Sequence, residues 1–144
     1  MEPENSITEY KSLQRITKGD NGLNDLAKTC VCLANSRGGV IYIGFDDKTK
    51  QPPANQKLTQ DQINTTITRL RGLCFNTAIS SSEIQSYTNG GQYFTLTVMP
   101  SLKSIATTSE GKIFIRIGDE CQPIRSEDIQ HLAAEKDSFQ WELI

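Results

Sequence analysis

The sequence predicts an α+β domain of two layers, a mixed sheet with helices packed mainly on one face. Three observations lead there. Apolar residues recur at helical spacing in two stretches, a β-branched run stands between them, and alternating stretches around a glycine turn follow the second helix. The chain has 144 residues, of which 36% are hydrophobic, enough for one modest core. A single domain over 1–135 is expected, with 136–144 as an apolar tail.

A strand opens the order, with Glu9 and Lys11 two residues apart and therefore on one face. Leu23, Leu26, Ala27, Cys30, Val31 and Ala34 then fall at i, i+3, i+4, i+7, i+8 and i+11, which predicts a helix over 22–36. Asp20 or Asn21 suits its start and Gly38-Gly39 its stop. Val40-Ile41-Tyr42-Ile43-Gly44-Phe45 reads as a central strand covered on both faces. A loop over 48–57 holds Pro52-Pro53. Thr59-Gln60-Asp61-Gln62 is a capping-box sequence, and Ile63, Ile67, Leu70 and Cys74 extend it into a helix over about 60–73.

Ile84 to Tyr87 and Tyr93 to Met99 alternate around Asn89-Gly90-Gly91, a hairpin pattern that Pro100 closes. Ile113, Ile115 and Ile117 alternate with Phe114 and Arg116, so Arg116 lies opposite the isoleucines. Ser126-Glu127-Asp128 opens a short helix through Ile129, Leu132 and Ala133. Phe139, Trp141, Leu143 and Ile144 form the apolar tail, which either docks on this core or opens a further segment.

Fifteen Lys and Arg against seventeen Asp and Glu give a net charge of −2. A basic footprint over the whole domain is thus missing, although binding depends on where charges sit. Gly72 to Leu102 carries no Lys or Arg. Lys11, Arg15, Lys18, Lys28 and Arg37 cluster early, and Lys103, Lys112, Arg116 and Arg125 late. No run approaches the ~20 apolar residues of a bilayer span, and Met1-Glu2-Pro3-Glu4 lacks the pattern of a signal peptide. A cytoplasmic protein without membrane association is expected. Cys30, Cys32, Cys74 and Cys121 include no C-x-x-C pair and the sole histidine is His131, which argues against zinc. Cys30 and Cys32 read as free buried thiols in a reducing compartment.

Nucleotide hydrolysis is poorly supported: the nearest approach to a phosphate loop, Gly39 to Gly44, lacks the Lys and lies in a strand. The carboxylates Glu4, Glu9, Asp46 and Asp47 offer oxygen ligands suited to Mg²⁺ or Mn²⁺, the aspartates at a strand's C-terminal end. Spacing alone favours solvated carboxylates, since five residues from Glu4 to Glu9 share no face and Asp46-Asp47 suits a turn. Lys11 is placed to hold a phosphate. Arg37 with Gly38-Gly39 reads as a helix stop with a surface arginine or as an anion contact, and spacing favours the first. Arg116 reads equally as a phosphate contact or an ion-pair partner.

Taken together, Glu4, Glu9-Tyr10-Lys11, Ala34-Asn35-Ser36-x-Gly38-Gly39, Ile41-x-Ile43-Gly44-Phe45-Asp46-Asp47 and Phe114-Ile115-Arg116-Ile117-Gly118 resemble the Schlafen-type AlbA domain. This Alba-like DNA-binding domain of many bacterial regulators was once labelled a divergent ATPase. The resemblance runs over about residues 4–130, and the Asn-Ser-x-Gly-Gly block with its following strand is its most specific part. It departs at Asn5, where the family often has Ser after Glu, and at Tyr10, where Phe is commoner.

The resemblance implies an α+β domain associated with DNA or RNA. With the split basic clusters, it leads to the DNA-binding module of a bacterial transcriptional regulator, acting as a homodimer, with Lys11, Arg37, Lys103 and Arg116 on phosphates. The resemblance also implies a rival. Animal Schlafen proteins have a metal-dependent ribonuclease site of two glutamates and an aspartate, whose motif positions fall on Glu4, Glu9 and Asp47. The chain would then be an endoribonuclease using Mg²⁺ or Mn²⁺. A protein-interaction domain, its charges paired with each other, is the third possibility.

Overall fold

The computed structural model describes residues 7–124 and 128–134. Glu4, the expected helix start at Ser126-Glu127 and the tail over 136–144 lie outside the described residues. The chain runs through β1 (Ile7–Lys11), α1 (Gln14–Thr17), α2 (Asp20–Ala34), β2 (Gly39–Ile43), α3 (Gln60–Leu73), β3 (Cys74–Phe75), β4 (Ile79–Ser81), β5 (Gln85–Ser86), β6 (Gln92–Val98), β7 (Thr107–Thr108), β8 (Phe114–Ile117) and β9 (Glu120–Pro123). A final helical segment, α4, covers 128–134. The architecture is α+β. Among the described residues no helix is long and apolar enough to cross a membrane.

The main sheet is mixed, in the order β1-β2-β6-β4, with β5 also paired to β6. Parallel pairing joins β1 to β2, and antiparallel pairing joins β2, β4 and β5 to β6. Period-two alternation sorts the side chains. Ile41 and Ile43 on β2 and Phe94, Leu96 and Val98 on β6 turn inward, where they meet Leu26, Val31 and Leu33 of α2 and Ile63 and Leu70 of α3. The outward residues Val40, Tyr42, Tyr93 and Thr95 are only half-buried. The expected covering of β2 on both faces is therefore corrected: helices lie on one side, and an aromatic layer, described below, on the other.

The junction of α2 and β2 explains the glycine pair. The Gly38 amide donates to Leu33 O at 2.8 Å, closing the helix, and Gly38 has φ +72°. At Gly39 a Cβ would stand 2.3 Å from Ile7 O, so only glycine lets β1 lie this close to β2. The capping box forms as expected: Gln62 N donates to Thr59 Oγ1 at 3.2 Å and Thr59 N to Gln62 Oε1 at 2.8 Å.

The β8–β9 hairpin stands apart from the main sheet and packs on α2. Its inward residue is Phe114, 9% exposed, while Ile117 is 60% exposed. The isoleucine face is thus the outer one, because one bulky ring fills the space over α2. Asn35 fixes this arrangement. Its Nδ2 donates to Ala106 O at 2.8 Å and Phe114 O at 3.1 Å, and its Oδ1 accepts from Ala106 N at 2.8 Å. The Asn of the Asn-Ser-x-Gly-Gly block is therefore a clasp between the end of α2, the loop before β7, and β8.

A second tie is covalent. Cys32 of α2 is disulfide-bonded to Cys121 of β9, their Cα atoms 5.9 Å apart. The expectation that Cys30 and Cys32 are both free is corrected for Cys32. The reason is topological: nothing in the spacing of residues 89 apart shows that β9 folds back onto α2. Cys30 and Cys74 are free and buried, and burial pushes both thiols up, Cys74 to about 11.

Candidate functional site

β1 is an edge strand, and its alternation divides the site. Glu9 and Lys11 share one face, and Tyr10 takes the other. Glu9 meets Arg116 of β8, whose Nη1 donates to Glu9 Oε1 at 2.5 Å, while Lys11 Nζ lies 4.0 Å from Glu9 Oε2. Arg116 Nε also donates to Gly118 O at 3.2 Å, in the two-residue turn between β8 and β9. Arg116 is thus an ion-pair partner, one of the two roles left open by the sequence. Both side chains of the pair are largely but incompletely buried.

Beside this pair opens a hollow of about 730 Å³. Glu9, Asp46, Asp47, Asp119, Lys50 and Arg116 give it charge. Its floor is aromatic. Tyr10 and Tyr42 stack with centroids 4.9 Å apart and planes at 21°. Phe45 stands edgewise, 5.1 Å from Tyr10 and Tyr93 and 5.7 Å from Tyr87. All four tyrosines of the chain line this hollow.

A second hollow of about 530 Å³ adjoins the first across Tyr10 and Asp47, which border both. Lys11, Arg15 and Lys18 line it, with Arg15 Nη1 paired to Asp25 Oδ2 at 2.9 Å. A third, of about 280 Å³, adjoins the first across Arg116 and is bordered by Arg37, Ser36 and Ile7. The three hollows are neighbours through these shared residues and make up a furrow: Lys11 and Arg116 meet at Glu9, Arg37 and Lys18 lie further along, and the first hollow is acidic and aromatic.

The residues expected from the sequence fall as follows. Lys11, Arg37 and Arg116 border the furrow. Lys103 does not; it is exposed on the loop after β6, which is tied to the end of α2 by Ser101 N donating to Ala34 O at 2.7 Å. Lys28 stands over the Phe114 ring, 5.8 Å from its centroid, away from the furrow. Asp46 serves its turn: Oδ1 accepts from Lys48 N at 2.7 Å. Asp47 is exposed and borders two hollows. The amides of Gly44 and Phe45 both donate to Lys11 O, so this segment offers no phosphate loop.

Glu9 and Asp47 share a hollow with Asp46 and Asp119, yet among the described residues no three His, Cys, Asp or Glu side chains gather closely enough to hold a metal ion. Glu9 Oε1 is already taken by Arg116. The described residues therefore do not by themselves compose a Mg²⁺ or Mn²⁺ site. The aromatic floor went unforeseen. Its signal was present, since Tyr42 and Tyr93 alternate with the inward residues of their strands and must point outward together.

Comparison with known proteins follows from this geometry. A family model described as Schlafen, AlbA_2 matches residues 4–125. Among solved structures the chain is similar to the DIP2311 protein from Corynebacterium diphtheriae, with a TM-score of 0.62 and 18% identity over 89% of this chain. The match takes in 27% of that chain, so the present chain spans about a quarter of its length, and the likeness is one of fold. No match emerges among curated proteins.

Proposed function

The chain belongs to the Schlafen AlbA_2 family, whose membership suggests a nucleic-acid-related function, and from that premise we propose that it is a nucleic-acid-binding module. The observation that carries the reading is the furrow. Arg37 and Arg116 border one of its hollows and Lys11, Arg15 and Lys18 another, so cations gather locally although the chain as a whole is acidic. In its finer form the module is the DNA-contacting part of a bacterial regulator working as a homodimer. Lys103, off the furrow, would add a phosphate contact beyond its rim.

Fluorescence anisotropy with labelled DNA and RNA, titrated against salt, tests this. Affinity should fall linearly on a log–log plot as phosphates release counterions. Arg37→Ala and Lys11→Ala should each lower the slope by about one. Absence of binding at low salt, or binding insensitive to salt, overturns the reading. Sedimentation of the same sample checks the dimer.

One observation favours a second reading, the endoribonuclease with Glu4, Glu9 and Asp47: two of these residues border one hollow. RNA cleavage that requires Mg²⁺ or Mn²⁺, and that Asp47→Ala abolishes, supports it. Cleavage unaffected by a chelator removes it.

A further inference from the structure

We propose that the aromatic hollow is a stacking site for one unpaired nucleobase, so that the furrow takes a single strand or a nucleotide turned out of a duplex. This rests on the nucleic-acid reading above and specifies its substrate.

Charge decides what enters. Glu9, Asp46, Asp47 and Asp119 outnumber Lys50 and Arg116 around the hollow, so a phosphate drawn to the neighbouring cationic hollows is repelled from this one. The part of a polynucleotide that suits an acidic, aromatic hollow is a neutral planar ring. Bases also carry amino groups that acceptor-only carboxylates such as Asp47 and Asp119 can bind.

Ring geometry agrees. Tyr10 lies over Tyr42 nearly parallel, and Tyr10 is 48% exposed, so a base laid on it extends a stack already begun. An ammonium ion caged by aromatics fits less well. The centroids of Phe45 and its neighbours are 5.1–5.7 Å apart, in mutual contact, which leaves no cation-sized gap between facing rings. The phosphates of such a nucleotide have cations in the neighbouring hollows, Arg37 and Arg116 in one and Lys11 and Lys18 in the other. A duplex keeps its base faces covered and offers the hollow nothing.

The test compares a short labelled oligodeoxyadenylate with an abasic strand of equal length and charge, and with the corresponding duplex, across a series of salt concentrations. Base stacking on an aromatic side chain predicts that the oligodeoxyadenylate binds roughly five- to hundredfold more tightly than the abasic strand. Tyr10→Ala should erase that difference with the salt slope unchanged, and Tyr10→Phe should keep it. Circular dichroism checks that Tyr10→Ala stays folded, and the Phe variant reports on the ring even if the Ala variant does not. Equal, salt-dependent binding of abasic and base-bearing strands, or of duplex and single strand, overturns the stacking site while sparing the nucleic-acid reading. No binding of any strand overturns both.

Discussion

Replacing Asn35 by alanine removes two donors and one acceptor at once. Ala106 O, Phe114 O and Ala106 N each lose a partner, and both residues are buried. A hydrogen bond is worth roughly 0.5–1.5 kcal/mol net, and stranding a buried partner adds to that. Three bonds, less the side-chain freedom the variant no longer has to surrender, put the loss at about 2–4 kcal/mol. Urea unfolding reads it. With a slope of about 2 kcal/mol/M, the middle of the usual range, the midpoint should fall by about 1–2 M. Asn35→Asp should not rescue, because a carboxylate would face the carbonyls of Ala106 and Phe114. Hydrogen exchange at β8 should quicken more than at β2 or β6, since the clasp holds the hairpin and not the sheet. A loss under about 0.5 kcal/mol, or exchange that rises equally everywhere, refutes the clasp.

Glu9→Gln should tighten phosphate binding a few-fold in the anisotropy assay, because it releases Arg116 from its counter-charge; unchanged or weaker binding counts against Arg116 as a contact. Alkylation of the unfolded, unreduced chain should label two thiols, Cys30 and Cys74, and four after reduction; four without reduction denies the Cys32–Cys121 bond. Alkaline pH should destabilise. Thiols ordinarily titrate near 9.0, and burial holds Cys74 up at about 11 and Cys30 higher still. Above 9 the unfolded chain gives up protons that the folded chain keeps, so stability is full below 9 and falls as pH rises towards 11. Urea midpoints across that window should decline less steeply in Cys74→Ala than in the parent chain.

Local patterns predicted the elements that local physics determines. The apolar stripe from Leu23 to Ala34 needs only helical geometry, and Thr59 with Gln62 carries its own start signal, so α3 falls where expected and α2 within two residues, although Gly19 without a side-chain cap, not Asp20 or Asn21, stands before it. Two-residue strands such as β3 and β7 carry no pattern, and form because Cys74 and Thr108 are brought together by everything else. Parity held at β8, where Arg116 lies opposite the isoleucines as expected, on the face of Phe114, but alternation alone does not say which face packs inward. The disulfide escaped for the same reason as the Glu9–Arg116 pair. Both link residues about a hundred positions or nearly so apart, and only the packing of the β8–β9 hairpin on α2 makes them neighbours.

On the proposed nucleic-acid reading, the acidic hollow bears on which backbone shape would be accepted. Were the furrow basic throughout, any phosphate backbone laid along it would gain, and duplexes would bind as well as single strands. Carboxylates around that hollow change this, because a straight backbone must carry a phosphate past Asp47 and Asp119 at a like-charge cost. A strand avoids the cost by bending outward there and turning a base inward, which is the conformation that the Tyr10–Tyr42 stack rewards. Repulsion and stacking thus select the same shape. An overall charge of −2 is thus compatible with the proposed site, where what decides is the placement of acids and bases and not their sum.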